Sequence, residues 1–313
     1  MVCDNTTDSE NRPHRSTFYD LMMKWIWMVH MTAMRIPLSE SLYRYRFDLL
    51  LVLMLLVVVY GTIVPEMAVQ WYQDDNYSHG FLVPLIAGYF LYQRFGELKT
   101  APVQPANMGL VVIIIALVQL IIGSLASEYF TLRSSLVVLL AGITLYFFGT
   151  QAFKTARFPI LYLLFMVPLP YIVYDALTFP LKLFVTRLSV GIMKFMGLVV
   201  IREGNIIMFP SITLEVADAC SGIRSLMSLL AISTAYAFLI QASPIKRWIV
   251  IVSALPLALF TNTLRVVVTG ILSNYAGAAA AKGFFHEFAG MAVFALAIGL
   301  LLAIGILVRE KES

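Results

Sequence analysis

The sequence predicts an all-α polytopic membrane protein: about eight transmembrane helices, an interfacial helix, and a short extended element on the outer, periplasmic side. Three observations carry this. Of 313 residues, 60% are hydrophobic and 13% charged, roughly half the charge that covers a soluble domain of this size, so lipid must cover most of the surface. The apolar residues gather into runs near the ~20 residues that cross a hydrocarbon core about 30 Å thick. Basic residues recur in pairs between alternate runs.

In chain order the runs are 47–64, 80–93, 108–126, 132–149, 158–174, 221–240, 248–272 and 284–308. The second is short and contains Pro84. Residues 180–200 are apolar but interrupted by Lys182, Arg187 and Lys194. Charges at mid-membrane are costly, so this stretch is expected to lie on or dip into the interface. With the N-terminus inside, the inner side receives Arg44 and Arg46, Arg94 and Lys99, Lys154 and Arg157, Lys246 and Arg247, then Arg309 and Lys311. The outer side receives Glu66, Asp74, Asp75 and Glu128. That regularity follows the positive-inside rule and leads to the expectation that both termini lie in the cytoplasm.

Residues 205–218 carry Ile206, Ile207, Ile212, Thr213 and Val216 around Pro210, a β-branched pattern expected of an extended or hairpin element on the outer side. Residues 276–281 read as a small-residue loop. Residues 1–46 are polar at their start and carry acids, unlike a cleaved signal peptide. They are expected to form a cytoplasmic extension, with an interfacial helix around Trp25 and Trp27, ahead of a membrane domain over 47–313. The only cysteines, Cys3 and Cys220, lack metal-ligand spacing, and the sequence calls for no metal or cofactor. No basic cluster is interleaved with aromatics, which excludes a nucleic-acid surface and leaves membrane lipids as the surrounding partner.

Polar and ionisable residues in or beside spans are the informative ones, and four stand out: Cys220, Arg224, Arg265 and His286. Helix rise gives their depth. Arg265 stands 17 residues beyond Trp248, about 25 Å from the inner end. Cys220 precedes a span of about 30 Å that runs inward to Ile240, and His286 lies about 34 Å from Arg309. Three helices therefore bring a thiol, a guanidinium and an imidazole to one level near the outer boundary. Cys220 stands just before a predicted helix, where unpaired N–H groups and a nearby cation favour thiolate. Gly222, beside Ser221, permits close approach of substrate. His286 is suited to acid/base work, and Arg265 to an oxyanion or a carboxylate. Asn262, one turn before Arg265, is placed to orient it.

Each residue also has a plain reading. A buried cysteine usually fills apolar space, Arg224 at the outer edge would snorkel to headgroups, and His286 or His79 would be a hydrogen-bonded wall residue. The coincidence of level favours catalysis.

The run Val216-Ala217-Asp218-Ala219-Cys220-Ser221-Gly222-Ile223-Arg224-Ser225 resembles the cysteine signature of exosortases and archaeosortases. Asn262-Thr263-Leu264-Arg265-Val266 resembles their arginine motif, and His286 with Gly290 their histidine motif. Asp74-Asp75-Asn76-Tyr77-Ser78-His79-Gly80 resembles their first outer loop. The resemblance runs from roughly Leu49 to the C-terminus. It implies a thiol peptidase and transpeptidase that recognises exported proteins by a C-terminal sorting tail. Such a PEP-CTERM-like tail carries a short motif such as Pro-Glu-Pro, one transmembrane helix and a basic end, and the activity is associated with exopolysaccharide production. It further implies Cys220 as nucleophile, Arg265 as clamp and His286 as acid/base, with transfer to an acyl acceptor whose identity the sequence leaves open. The competing class is a transporter or assembly factor for exopolysaccharide export without peptidase activity. Such a protein should carry polar residues along the depth of several spans, whereas here they gather at one end.

Overall fold

The structure, a computed structural model, describes residues 45–210, 212–216, 223–241, 243–277 and 284–309. The expected interfacial helix near Trp25, and Cys3, Cys220, Ser221 and Gly222, lie outside the described residues, as does most of the 276–281 loop.

Helix α1 (Arg46–Tyr60) gives way to α2 (Ile63–Gln73) at a 54° bend. Pro65 sits in the first turn of α2, where the amide it lacks would have had no helical partner. A 3-10 segment, Asp75–Phe81, leads into α3 (Leu82–Gln93) and the short α4 (Phe95–Thr100). Then come α5 (Met108–Leu125), α6 (Tyr129–Tyr162, continued by 3-10 geometry to Met166) and α7 (Tyr171–Phe195). Three short strands follow, β1 (Ile201–Glu203), β2 (Ile206–Met208) and β3 (Thr213–Glu215), and the chain closes with α8 (Ile223–Ile240), α9 (Pro244–Ala276) and α10 (Phe284–Val308).

Among the described residues six helices are long and apolar enough to cross a membrane, seven if α1 and α2 form one bent span. This bears out the all-α polytopic class, with fewer qualifying helices than the eight expected. Two expected spans are lost, while α7, which was expected at the interface, qualifies. The 12-residue α3 rises only about 18 Å, and the expected fourth and fifth spans are joined in α6.

That join is a hairpin. Gly149 breaks α6 at φ 84° and ψ −175°, a backbone region that is essentially glycine's alone. On neighbouring residues of α2, Gln70 accepts a hydrogen bond from Arg133 and Trp71 donates one to the Met166 carbonyl at 2.9 Å. A straight helix would hold Arg133 and Met166 about 50 Å apart. The two limbs of α6 therefore fold back on each other, with Val137, Ala156 and Ile160 buried together between them. The first limb packs on α5 where Gly109 meets Tyr146 and Gly123 meets Leu132, the small-residue contact by which membrane helices approach closely.

Helix α7 passes the length and hydropathy test, yet its contacts run across one end of the bundle. Near its start Tyr174 lies against Tyr77, with ring centroids 6.4 Å apart, and fifteen residues on Ser189 donates to the Thr263 carbonyl at 3.5 Å. Both partners belong to the end of the bundle where α8 starts. The antiparallel sheet β1-β2-β3 caps the same end. Its Ile207 is buried with Val185 and Met193 of α7 and Val266 of α9. The sheet realises the extended element expected within 205–218 and begins four residues earlier.

Helices α8, α9 and α10 form a tight triple. Leu229, Ala237, Val250, Ala254, Ala258, Ala297 and Leu301 fill its centre. Gln241 donates to the Gly305 carbonyl at 2.7 Å, and Tyr236 to Leu302 at 3.0 Å. These bonds fix the register of α10 against the α8–α9 turn.

Candidate active site

That register sets the levels of the candidate residues. Counted from the turn after Ile240, Arg224 lies about 25 Å up α8 and Arg265 about 32 Å up α9. His286 stands 19 residues before Gly305 on α10, again about 28 Å up. The head of Arg265 extends to α10, where its Nη1 lies 3.8 Å from the point a Cβ on Gly290 would occupy. His286 is four residues before Gly290, on the same face of α10, while its side chain lies outside the described residues. Asn262, 3% exposed, precedes Arg265 by three residues on α9, flanked by the buried Thr261 and Thr263. The arginine motif is thus a half-buried cation on an otherwise closed helix, directed toward the helix that carries the histidine.

The first outer loop closes on the start of α8 from the other side. Asp74 accepts from the Asn76 amide at 2.9 Å, a local turn that fixes the loop. Arg224 donates through Nε to Asn76 Oδ1 at 3.1 Å and through Nη1 to Asp75 Oδ2 at 3.4 Å. One turn further along α8, Ser228 Oγ lies 3.4 Å from His79 Nδ1. Beneath the loop Gly80 lies against the Trp71 indole, so close that a Cβ would stand 2.5 Å from Nε1. Arg224 is therefore a bridge between two motifs rather than a side chain reaching for headgroups. Helix α8 begins at Ile223, three residues after Cys220 in sequence.

Burial holds the His79 imidazole below its ordinary pKa, against an upward pull from the Phe165 and Asn76 carbonyls. Burial also pushes the Tyr77 hydroxyl up to about 12, so both groups are neutral near pH 7. No group of three or more metal-ligating side chains occurs among the described residues.

The structure brings Arg224 and His79 together with Asp75, Asn76 and Ser228, and brings Arg265 and Asn262 to the face of α10 that carries His286. Sequence reasoning quoted Asp75 and Asn76 as part of a loop without assigning them a partner, and it missed Ser228. The fixed spacing of Arg224 and Ser228, one helical turn apart, was the available signal. It also missed Gln70 and Arg133, which hydrogen-bond between α2 and α6.

A family model for transmembrane exosortases matches residues 71–303, from Trp71 through the outer loop, α8, α9 and most of α10. No curated protein and no solved structure matches the chain. With that match covering more than two thirds of its length and every motif that carried the resemblance, this multi-pass membrane protein belongs to the transmembrane exosortase family.

Proposed function

We propose that the protein is a membrane-embedded cysteine peptidase and transpeptidase. It cleaves C-terminal sorting tails of exported proteins and transfers the new carboxyl end to an acceptor. The observation that carries this reading is the reach of Arg265 from α9 to Gly290, one turn from His286, at the level where α8 begins. The site faces the periplasm from the bacterial inner membrane with both termini cytoplasmic, a placement supported by the basic pairs of alternate loops. The catalytic unit is the domain over 47–313, with 1–46 as a cytoplasmic extension.

In this reading the Cys220 thiolate attacks the scissile carbonyl, and Arg265 stabilises the oxyanion that forms. Collapse of the tetrahedral intermediate breaks the C–N bond, and protonated His286 gives its proton to the departing amine. An acceptor amine, hydroxyl or water then attacks the thioester, and the thiolate leaves. Asn262 orients Arg265, Arg224 anchors the outer loop, and Ser221 and Gly222, next to Cys220 in sequence, contribute to substrate binding. A tail held by its own helix presents its motif at this level. The transporter reading is disfavoured by the apolar packing that fills the α8–α9–α10 centre below the site.

The test pairs the protein in membranes with a reporter ending in a sorting tail from the same genome, comparing wild type with Cys220→Ala. Shortening of the reporter by wild type alone is expected. Equal shortening by a stably inserted Cys220→Ala protein would remove Cys220 as nucleophile.

A further inference from the structure

Beside the outer loop is a cavity of about 380 Å³, lined by Gln70, Tyr77, Tyr129, Arg133, the Pro168–Pro170 stretch and Tyr174, among others. Asn76 belongs both to its wall and to the Arg224 bridge, so the cavity opens next to the candidate active site. Among the described residues its one cation is Arg133, 6% exposed. Among the described residues no carboxylate comes within ion-pair distance of it. Its hydrogen bond goes to the neutral Gln70 amide, and its guanidinium stacks 5.1 Å from the centre of the Tyr129 ring.

Two acids share the cavity wall, and both are committed elsewhere. Glu128 accepts from the Phe130 and Thr131 amides at the head of α6, and Asp74 from Asn76. Glu66, one turn before Gln70, acts on Arg133 only through space. A buried charge with no carboxylate in contact is costly, and among the described residues Arg133 is in that position where it lines the cavity.

We infer that Arg133 is the anchor of a carboxylate subsite, which receives an acidic side chain of the bound peptide. A carboxylate matches the planar fork, two N–H groups to two oxygens. The acids on the rim disfavour a phosphate dianion. The Tyr77 and Tyr174 rings and the Pro168–Pro170 stretch offer apolar walls to the flanking residues. This rests on the reading of the protein as a tail-processing enzyme and adds a specificity-determining residue to it.

The experiment reads binding separately from cleavage. Full-length Cys220→Ala protein is mixed with a sorting-tail reporter carrying its native acidic residues, or with each in turn changed to the amide, and capture is measured. At one acidic position the amide is expected to lower capture at least tenfold. Arg133→Gln is expected to lower capture of the acidic tail as much, with no further loss when both changes are combined, and Arg133→Lys to restore it in part. The tail series on unaltered Arg133 stands even if Arg133→Gln does not accumulate.

Equal loss with acidic and amide tails would reduce Arg133 to a structural role and overturn the subsite, as would no loss at any position. Capture that follows anionic lipid in reconstituted vesicles and ignores the tail's carboxylates would assign the site to a headgroup instead. Failure to capture any tail would sink the tail-processing reading itself. Arg133 is then judged by acetylated, amidated Ala-Glu-Ala against Ala-Gln-Ala, of which only the first should raise the unfolding temperature of wild type and not of Arg133→Gln.

Discussion

Asn76 Oδ1 accepts a hydrogen bond at 3.1 Å from Nε of Arg224, a residue 148 positions later in the chain. The bond ties the first outer loop to the helix whose start follows the cysteine motif. The Asp75 carboxylate adds a second contact to Arg224, but it is 77% exposed, and solvent-exposed ion pairs contribute little. Asn76, half-buried and locked by its turn with Asp74, is the stronger holder of the two.

Asn76→Ala should therefore lower tail processing about tenfold, the equivalent of roughly 1.4 kcal/mol and near the low end for a hydrogen bond to a charged group. Asn76→Asp keeps an acceptor and should recover most of it. Asp75→Asn should change the rate less than about threefold. Initial rates on the tail reporter, normalised to protein in the membrane, give the ranking. A larger effect at Asp75 than at Asn76 would reverse the assignment.

The Gly290 contact makes a graded prediction for Arg265. A Cβ at Gly290 would stand 3.8 Å from Nη1, an ordinary contact distance, so Gly290→Ala should process tails within about twofold of wild type. A leucine there would occupy the space the guanidinium uses, and the fork cannot retreat without losing its direction. Gly290→Leu should lower processing at least tenfold with unchanged protein level. Full activity in the leucine variant would mean that Arg265 does not act toward α10.

Much of this end of the molecule was legible in the sequence, and the reasons differ by residue. Arg265 and His286 could be placed at one level because helix rise is fixed and both spans end in basic pairs. The hairpin in α6 left a trace, since Lys154 and Arg157 separated the two runs that Gly149 divides. The Arg224 bridge was hidden because a guanidinium at the outer edge satisfies itself equally well with lipid, and only the folded loop decides. Arg133 was hidden for a deeper reason. It follows Tyr129 by one turn, where a charge near the end of a span looks solvated, and its burial depends on α2, α7 and the loop after Met166 meeting around it. Lys182, Arg187 and Lys194 led to an interfacial expectation for 180–200, whereas α7 is long and apolar enough to cross a membrane. Its start at Tyr171, nine residues before the expected one, was masked by the apolar sequence of the preceding run.

Gly149 should resist substitution for reasons of folding rather than chemistry. Its φ and ψ would cost a non-glycine residue about 1–3 kcal/mol, and a Cβ would stand 1.9 Å from the Gln104 carbonyl oxygen. The Gly149→Ala protein should accumulate in membranes at a small fraction of the wild-type level. Gly191→Ala, where a Cβ meets nothing within 4 Å, serves as the control and should accumulate normally. Equal levels of both would mean that the two limbs of α6 do not depend on this turn.

His79 predicts the sign of a pH effect. Its folded pKa lies below its ordinary value because burial disfavours the imidazolium. Between the folded pKa and about 6.5 the unfolded chain therefore binds more protons than the folded one, and stability falls as pH falls through that window. The detergent-purified protein should lose unfolding temperature between about pH 7.5 and 5. His79→Gln keeps a hydrogen-bonding side chain opposite Ser228 but does not titrate, so its curve should be flatter over the same range, with wild type falling relative to the variant toward low pH. A wild-type curve that rises toward low pH would instead mean that His79 gains an acidic partner when folded, and would move it from the wall of the site to a charged role within it.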